Sequence, residues 1–416
     1  MKIYLEVYGC TANKSDASLI RGLLKQNNHK LTNQINEADV IILLTCTVIG
    51  TTEQRMLSRL REFKKFGKKI IVTGCMASIQ SELVKSITPN AQLIPTGYSH
   101  HIIDVIENNK LDLNINDRKI GPKDFNGISA PISIAEGCMF SCSYCITSPA
   151  RGKLISFTKD EIIKDIYCAL KQNCKEIQLT SQDTASYGLD INSNLGELLS
   201  NLSDIKGDYR IRVGMMNPFT ALKNLNSILK GFKNNNIYKF LHLPVQSGDN
   251  NILHLMDRKY TVKNFIKIVG EFNNKYPDIT LSTDIIVGFP NETDEQFYNS
   301  VNLIEKIKPD IVNVTRFSAR PHTKAKNMKG RINTKIAKER SKILAEISEL
   351  LSIENNKKCK GKIYNTLITK RGKKDTYIGR TDNYKPVLIN EKADIGKFVN
   401  LEIIDSDHIH LFGKLI

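Results

Sequence analysis

The stretch PISIAEGCMFSCSYC, residues 131–145, joins a short apolar strand to a loop that contains three cysteines. Cys138, Cys142 and Cys145 follow the spacing C-x3-C-x2-C. An iron–sulfur cube normally takes four thiolates, and a structural zinc site also takes four ligands. Three thiolates from one loop can instead bind three irons of a single cube and leave its fourth iron open. A chance spacing is the alternative, which the position of the loop directly after a strand disfavours.

Strands and helices alternate around this loop, from about residue 129 to residue 318. The six strand segments are PISIAE, KEIQLTS, YRIRVG, YKFLHLPV, ITLSTDIIVG and DIVNVTRFS. One of the intervening helices opens with a capping box at Thr158 and Glu161. Six strand–helix units predict an open, partial barrel whose site lies at the C-terminal ends of the strands.

A separate block of alternating strands and helices covers residues 1–107. Its strand segments are IYLEV, DVIILLT and KKIIVT. The continuous apolar run of DVIILLT is typical of a strand buried in a parallel sheet. This order predicts a doubly wound parallel sheet and places the protein in the α/β class.

Each of these three strands ends just before a cysteine: Cys10, Cys46 or Cys75. Because the carboxyl ends of parallel strands share one edge of a sheet, we expect the three side chains to converge. Three small buried core residues would be the alternative, since free cysteine is often buried. The recurrence at one structural position favours a second iron–sulfur site with one open iron.

The remaining segments complete the predicted domain order. Residues 108–128 are polar and aperiodic, which indicates a linker. The central domain is predicted to span residues 129–357 and to end in a long amphipathic helix. Short β segments over residues 358–416 predict a small closed antiparallel barrel of the oligonucleotide-binding type.

The charge of the chain favours an acidic partner, with nucleic acid first. The formal net charge is +17, and residues 318–374 carry 17 Lys and Arg against 4 Asp and Glu. A solvated lysine-rich surface is the alternative. The concentration of charge in one segment disfavours it.

The cysteine count and the N-terminus bear on location. An odd total of nine cysteines argues for metal or redox chemistry rather than for disulfides. The N-terminus shows no targeting pattern, and no apolar run reaches the length of a bilayer. We therefore expect a cytoplasmic protein without a membrane partner.

Two cysteine triads, a partial barrel and a terminal β-barrel together resemble the radical S-adenosylmethionine (SAM) methylthiotransferases. The strings that carry the resemblance include YGCTANKSD, GCMAS, YCITSPARGKL, LTSQDTASYGLD, LHLPVQSGDN and TDIIVGFPNETDEQF. The chain is most similar to the archaeal and eukaryotic branch that acts on N6-threonylcarbamoyladenosine in tRNA. It departs from the pattern in RPHTKA, where Gly is expected in place of His322.

The resemblance implies an N-terminal methylthiotransferase domain, a radical SAM domain and a C-terminal TRAM domain. It implies two 4Fe-4S clusters, held by the two cysteine triads, and two uses of SAM. One SAM donates its methyl group to sulfur, and a second is cleaved to a radical that removes hydrogen from C2 of the adenine at position 37. The implied partners are tRNA, a sulfur donor, and an electron donor such as ferredoxin or flavodoxin.

Other functions stay open at this point. Methylthiotransferases of the same family act on isopentenyladenosine in tRNA or on an aspartate of a ribosomal protein. A non-catalytic iron–sulfur protein that binds RNA is the alternative from another class. Structural clusters normally fill all four ligand positions, so two sets of three cysteines disfavour it.

Candidate SAM contacts lie near Cys138, Cys142 and Cys145 or at the strand ends of the barrel, and a structural polar group is the alternative for each. They are Tyr144, Gln182, Asp183, Arg212, Gln246, Ser247 and Asp284. The threonylcarbamoyl carboxylate requires a cation, for which Arg151 is the candidate. The RNA-binding candidates in the terminal barrel are basic: Lys358, Lys360, Lys362, Lys370, Arg371, Lys373 and Lys374.

Overall fold

The computed structural model describes residues 1–48, 50–109 and 121–416 of the chain. It forms two compact units. Unit 1 comprises Met1–Gln172, Thr180–Gln182 and Ser318–Lys326. Unit 2 comprises Asn173–Leu179, Asp183–Phe317 and Asn327–Ile416. The predicted domain boundaries, which follow sequence patterns, stay predictions.

The strands of the described residues are β1 (Lys2–Val7), β2 (Lys30–Thr32), β3 (Val40–Thr45), β4 (Lys69–Gly74), β5 (Gln92–Ile94), β6 (Ser129–Ser133), β7 (Ala135–Glu136), β8 (Ile155–Ser156), β9 (Glu176–Thr180), β10 (Arg210–Val213), β11 (Phe240–His242), β12 (Thr280–Val287), β13 (Ile311–Arg316), β14 (Ile363–Arg371), β15 (Tyr377–Thr381), β16 (Pro386–Ile389), β17 (Phe398–Ser406) and β18 (Leu411–Leu415). The α-helices are α1 (Thr11–Gln26), α2 (Gly50–Lys64), α3 (Cys75–Ile79), α4 (Ser81–Ile87), α5 (Ile102–Ile106), α6 (Thr147–Arg151), α7 (Lys159–Lys171), α8 (Leu195–Asn201), α9 (Pro218–Lys223), α10 (Leu225–Gly231), α11 (Asn250–Leu255), α12 (Val262–Lys275), α13 (Asp294–Ile307) and α14 (Thr334–Lys357).

Unit 1 contains a parallel sheet of five strands in the order β2-β1-β3-β4-β5. Side chains of α1 and α5 pack on one face of this sheet, and side chains of α2, α3 and α4 pack on the other. The central strand β3 is buried along its whole length, as its apolar sequence requires. The prediction of a doubly wound sheet is confirmed.

The segment after this sheet packs on its first helix. The backbone N–H of Asp124 donates to the carbonyl of Ser18 in α1 at 2.9 Å. The N–H of Phe125 donates to the side chain of Gln172, also at 2.9 Å. The predicted linker, residues 108–128, lies outside the described residues from 110 to 120. Its described C-terminal part is held against α1 and the residue that follows α7.

Parallel strands form the α/β part of unit 2. β9 pairs with β10, a bridge joins Ile211 to Ile237 beside β11, and β11, β12 and β13 follow in parallel. Helices connect these strands, and the predicted capping box of α7 in unit 1 is present, with both reciprocal hydrogen bonds between Thr158 and Glu161. The α/β class predicted from the alternation is confirmed.

The C-terminal strands β14 to β18 close into a barrel in the order β14-β15-β16-β18-β17. All neighbouring pairs are antiparallel except β16 and β18. The long helix α14 precedes the barrel, as the periodicity of residues 335–356 predicts. None of the described helices combines the length and the hydropathy that crossing a bilayer requires.

Candidate iron–sulfur and SAM site

Three cysteines stand at the carboxyl ends of neighbouring strands in unit 1. Cys10 follows β1, Cys46 follows β3 and Cys75 follows β4. Cys46 and Cys75 are buried, whereas Cys10 is exposed. The pKa of the Cys75 thiol is raised to about 12, chiefly by burial and in smaller part by the charges of Cys10 and Cys46. The three thiols, here called the strand-end triad, are therefore electrostatic neighbours.

Two glycines permit this approach of the strand ends. Gly9 and Gly74 precede Cys10 and Cys75, and their φ angles are +107° and +90°. A Cβ on Gly74 would lie 2.5 Å from the carbonyl oxygen of Thr45, and one on Gly9 would lie 2.9 Å from the Cβ of Cys46. Both contacts are too short, so the recurring Gly-Cys pair is a steric requirement of the site.

Two polar side chains bind the strand ends to each other. The Asn13 amide donates to the carbonyls of Tyr8 at 2.7 Å and Thr45 at 2.8 Å. The Thr45 hydroxyl donates to the carbonyl of Thr73 at 2.7 Å. Sequence reasoning missed both residues, although the string NKSD, which begins three residues after Cys10, was a signal for Asn13.

The second triad, here called the loop triad, also belongs to unit 1. It lies between β7 and α6. The strands β7 and β8, which flank the loop and α6 in the chain, pair antiparallel with each other. The backbone N–H of Cys138 donates to the carbonyl of Gly152, and that of Cys145 donates to the carbonyl of Cys142, both at 3.0 Å. Burial raises the pKa of the Cys145 thiol. Tyr144 is half-buried in this loop.

Soft thiol donors suit iron, and both triads offer only such donors. In the part of the chain that the structure describes, no three His, Cys, Asp or Glu side chains form a group that could hold one metal ion. Each triad is thus a neighbourhood of thiols and not a preformed ligand set. Binding a metal requires deprotonation of the thiols. The assignment of the six cysteines as cluster ligands stays a prediction.

Arg151 ends α6 and is buried, with a side chain only 1% exposed. Its guanidinium donates to Asn13 at 2.6 Å, Asp16 at 2.9 Å and Glu136 at 2.9 Å. A substrate carboxylate would compete with Asp16 and Glu136 for this guanidinium, and the predicted substrate contact of Arg151 stays a prediction. Removing one partner of such a buried ion pair costs about 3–5 kcal/mol.

A second buried arginine holds a later segment in unit 1. The guanidinium of Arg320 donates to the Thr47 hydroxyl at 3.0 Å and forms an ion pair with Glu53. Two residues on, His322 adopts a φ of +58°. This left-handed conformation explains why the family pattern has Gly there, and His322 occupies it at an exposed position.

The end of β9 presents buried polar atoms without protein partners. The Ser181 hydroxyl and the side-chain oxygen of Gln182 have no hydrogen bond within the described part of the protein. A buried unpaired acceptor or donor costs about 1–3 kcal/mol, so such atoms call for a ligand. This fits the prediction that Gln182 contacts SAM.

The SAM candidates of unit 2 occupy different environments. Asp183 is buried and accepts hydrogen bonds from the backbone N–H groups of Ala185 and Asn217 and from the Thr220 hydroxyl. Burial raises its pKa to about 6. Protein groups therefore satisfy this carboxylate, and the predicted contact of Asp183 with SAM stays a prediction. Arg212 lies over the rings of Phe240 and Tyr384, at 5.3 and 5.4 Å from their centroids.

Gln246 and Asp284 are brought together, because the N–H of Gln246 donates to the carbonyl of Asp284 at 2.8 Å. The Asp284 carboxylate contacts His242 Nε2 at 3.2 Å and accepts from Asn313 at 2.8 Å. Burial alone would raise the pKa of Asp284, but these two partners hold it below its usual range. His242 and Asn313 were missed by sequence reasoning. Ser247 is buried next to this group.

Comparisons with known proteins bear on the whole chain. Residues 2–95 match uncharacterized protein family UPF0004, residues 132–304 match the radical SAM superfamily, and residues 357–416 match the TRAM domain. A probable threonylcarbamoyladenosine tRNA methylthiotransferase of Archaeoglobus fulgidus is 40% identical, over 100% of this chain and 99% of that protein. This chain belongs to the methylthiotransferase family.

Further relatives of this methylthiotransferase are more distant. The threonylcarbamoyladenosine tRNA methylthiotransferase of Homo sapiens is 31% identical, over 99% of this chain and 74% of that protein. The ribosomal protein uS12 methylthiotransferase RimO of Clostridioides difficile is 32% identical, over 100% of this chain and 99% of that protein. The predicted family is confirmed, and the protein is a transferase.

A solved structure supports the fold of the methylthiotransferase. The radical SAM methyltransferase TsrM of Kitasatospora setae aligns with a TM-score of 0.52 over 89% of this chain and 76% of that one. At 11% identity the likeness concerns the fold alone.

The basic candidates in the terminal barrel of the methylthiotransferase fall into two groups. Lys358 forms an ion pair with Glu354 at 3.4 Å, and Lys362 with Asp278 at 2.9 Å. The other five are exposed: Lys360, Lys370 and Arg371 at the end of β14, and Lys373 and Lys374 in the turn that follows; the last four are here called the turn after β14. Arg371 also forms an ion pair with Asp375. The turn therefore concentrates lysine charge at the surface, which suits a phosphate backbone.

Replacing Lys370, Lys373 and Lys374 of the methylthiotransferase by Gln is expected to weaken tRNA binding. Each lost phosphate contact lowers the slope of log affinity against log salt by about 0.7–0.9, so the slope should fall by about 2. Fluorescence anisotropy at several salt concentrations measures both quantities. Gln at the exposed lysines of α12, Lys263, Lys267 and Lys275, removes the same charge and is the control. An equal loss of tRNA affinity in both variants would contradict a specific role for the turn.

Proposed function

We propose that this methylthiotransferase attaches a methylthio group to C2 of N6-threonylcarbamoyladenosine at position 37 of tRNA. The observation that carries the proposal is the presence, in one unit, of two cysteine triads in a chain that matches threonylcarbamoyladenosine enzymes over its full length. A single catalytic cluster would need only one triad. Two triads of this kind suit a reaction in which sulfur delivery and radical formation are separate tasks.

The residues divide these tasks as follows. Cys138, Cys142 and Cys145 would hold the cluster that cleaves SAM. Cys10, Cys46 and Cys75 would hold the cluster that serves sulfur transfer. Bound SAM supplies both the methyl group and the 5′-deoxyadenosyl radical, which is chemistry of the cofactor and not of a side chain.

The remaining parts of the proposal concern SAM and RNA. Gln182 offers an unpaired buried oxygen to SAM. The lysines of the turn after β14 bind the tRNA backbone. The adenine must leave the anticodon-loop stack to be modified, as bases generally do in enzymes that act on them.

The proposal requires further partners. Reductive cleavage of SAM needs an electron donor, for which a small ferredoxin or flavodoxin is suitable. Net incorporation of sulfur needs a sulfur donor. We place the protein in the cytoplasm, where tRNA is modified.

The substrate is tested with purified, reconstituted protein and two tRNAs, one carrying threonylcarbamoyladenosine and one carrying isopentenyladenosine. Mass spectrometry of the nucleosides is expected to show 2-methylthio product from the first tRNA and little or none from the second. Product from the second tRNA alone would overturn the substrate assignment. Incubation with the ribosomal protein uS12, followed by mass spectrometry of its peptides, tests the aspartate alternative.

A further inference from the structure

The guanidinium of Arg151 binds groups that lie beside cysteines of both triads. Asn13 and Asp16 belong to the first turns of α1, which begins directly after Cys10. Glu136 lies in β7, two residues before Cys138. Arg151 itself lies six residues after Cys145. One buried side chain therefore connects the start of α1 to both ends of the cysteine loop.

The backbone around Arg151 extends this connection. The carbonyl of Gly152, the next residue, accepts the N–H of Cys138 at 3.0 Å. The carbonyl of Ala150, the preceding residue, accepts the hydroxyl of Thr96, which follows β5. Asn13 also binds the carbonyls at the ends of β1 and β3. The contacts form a continuous polar network from the strand ends to the loop.

We propose that Arg151 is a positioning residue that fixes the strand-end triad relative to the loop triad through Asn13, Asp16 and Glu136. The proposal deepens the proposed function, on which it rests, because sulfur held at one triad must reach a carbon activated at the other. A misplacement of about 1 Å in such a geometry can cost about 100-fold in rate.

The test uses Arg151→Lys, Arg151→Met and Asp16→Asn in the full chain with both clusters reconstituted. Lysine keeps the charge but cannot reach three partners at once, and methionine removes the charge with similar volume. Asp16→Asn weakens the network and leaves Arg151 itself in place. It therefore keeps the test valid if Arg151→Met fails to fold.

Arg340 offers a matched control. Its side chain is also buried, at 6% exposed, and it pairs with Glu292 and Asp294, each at 2.6 Å. It belongs to unit 2 and contacts neither triad. Arg340→Lys and Arg340→Met therefore report the general cost of disturbing a buried arginine pair.

The first readout is the electron paramagnetic resonance spectrum of the fully reduced protein, in which magnetic coupling depends on the separation of the two clusters. It requires no RNA. We expect the Arg151 and Asp16 variants to keep about eight irons per chain and to show altered coupling, while the Arg340 variants keep the wild-type spectrum. The second readout is methylthiolated product per 5′-deoxyadenosine formed, which we expect to fall by about 10- to 100-fold in the Arg151 variants.

An unchanged spectrum and an unchanged product ratio in folded Arg151 variants would overturn the positioning role, as would the same changes in the Arg340 variants. Failure of the proposed function is distinguishable. A wild-type protein that modifies neither tRNA counts against the substrate alone, and the spectrum still decides the role of Arg151.

Discussion

Alanine at Cys10, Cys46 and Cys75 is expected to abolish methylthiolation, while reductive SAM cleavage continues. Iron should fall from about eight to about four atoms per chain, because each triad serves one cube. The loop cluster should survive because the two triads are held by different elements of the fold. The strand-end triad depends on β1, β3 and β4, whereas the loop triad is enclosed by the β7–β8 pair. Iron assay, chromatography of 5′-deoxyadenosine and mass spectrometry of tRNA nucleosides measure the three quantities.

The other three cysteines provide a control of equal size. Alanine at Cys168, Cys174 and Cys359 removes the same number of thiols outside the triads. Iron content and both activities should stay near wild-type values. If the strand-end variant is folded yet makes no 5′-deoxyadenosine, the division of tasks between the triads is wrong.

Replacing the loop triad is expected to have a larger effect than replacing the strand-end triad. Alanine at Cys138, Cys142 and Cys145 should abolish both 5′-deoxyadenosine formation and methylthiolation, while about four irons remain per chain. Without the loop triad no cluster is placed to cleave SAM, so no substrate radical forms and nothing accepts the sulfur. The spectrum of the remaining cluster should match the strand-end cluster of the intact protein.

Circular dichroism and thermal unfolding establish that the loop variant is folded before its activity is interpreted. 5′-Deoxyadenosine above the level of a SAM-free control would show that the loop triad is not the site of cleavage. Retention of all eight irons would show that other side chains hold the second cluster.

Local sequence patterns predicted where both cysteine triads lie in the fold. An apolar run such as DVIILLT is typical of a strand buried in a parallel sheet, and parallel strands place their carboxyl ends on one edge. Cys10, Cys46 and Cys75 could therefore be assigned to one edge before any coordinates. The spacing of Cys138, Cys142 and Cys145 placed the second triad in one loop by the same kind of local argument.

The sequence by itself thus determined the α/β class, the terminal barrel and the positions of both triads, since strand periodicity and cysteine spacing are local properties. The tertiary structure alone decided the buried partners of Arg151, since Asn13 and Asp16 lie 138 and 135 residues away in the chain. It also decided the pairing of Arg320 with Glu53, across 267 residues. A charged residue looks the same in sequence whether it faces solvent, a substrate or a buried partner. Only the packed fold brings its counter-charge within reach and excludes the water that would otherwise solvate it.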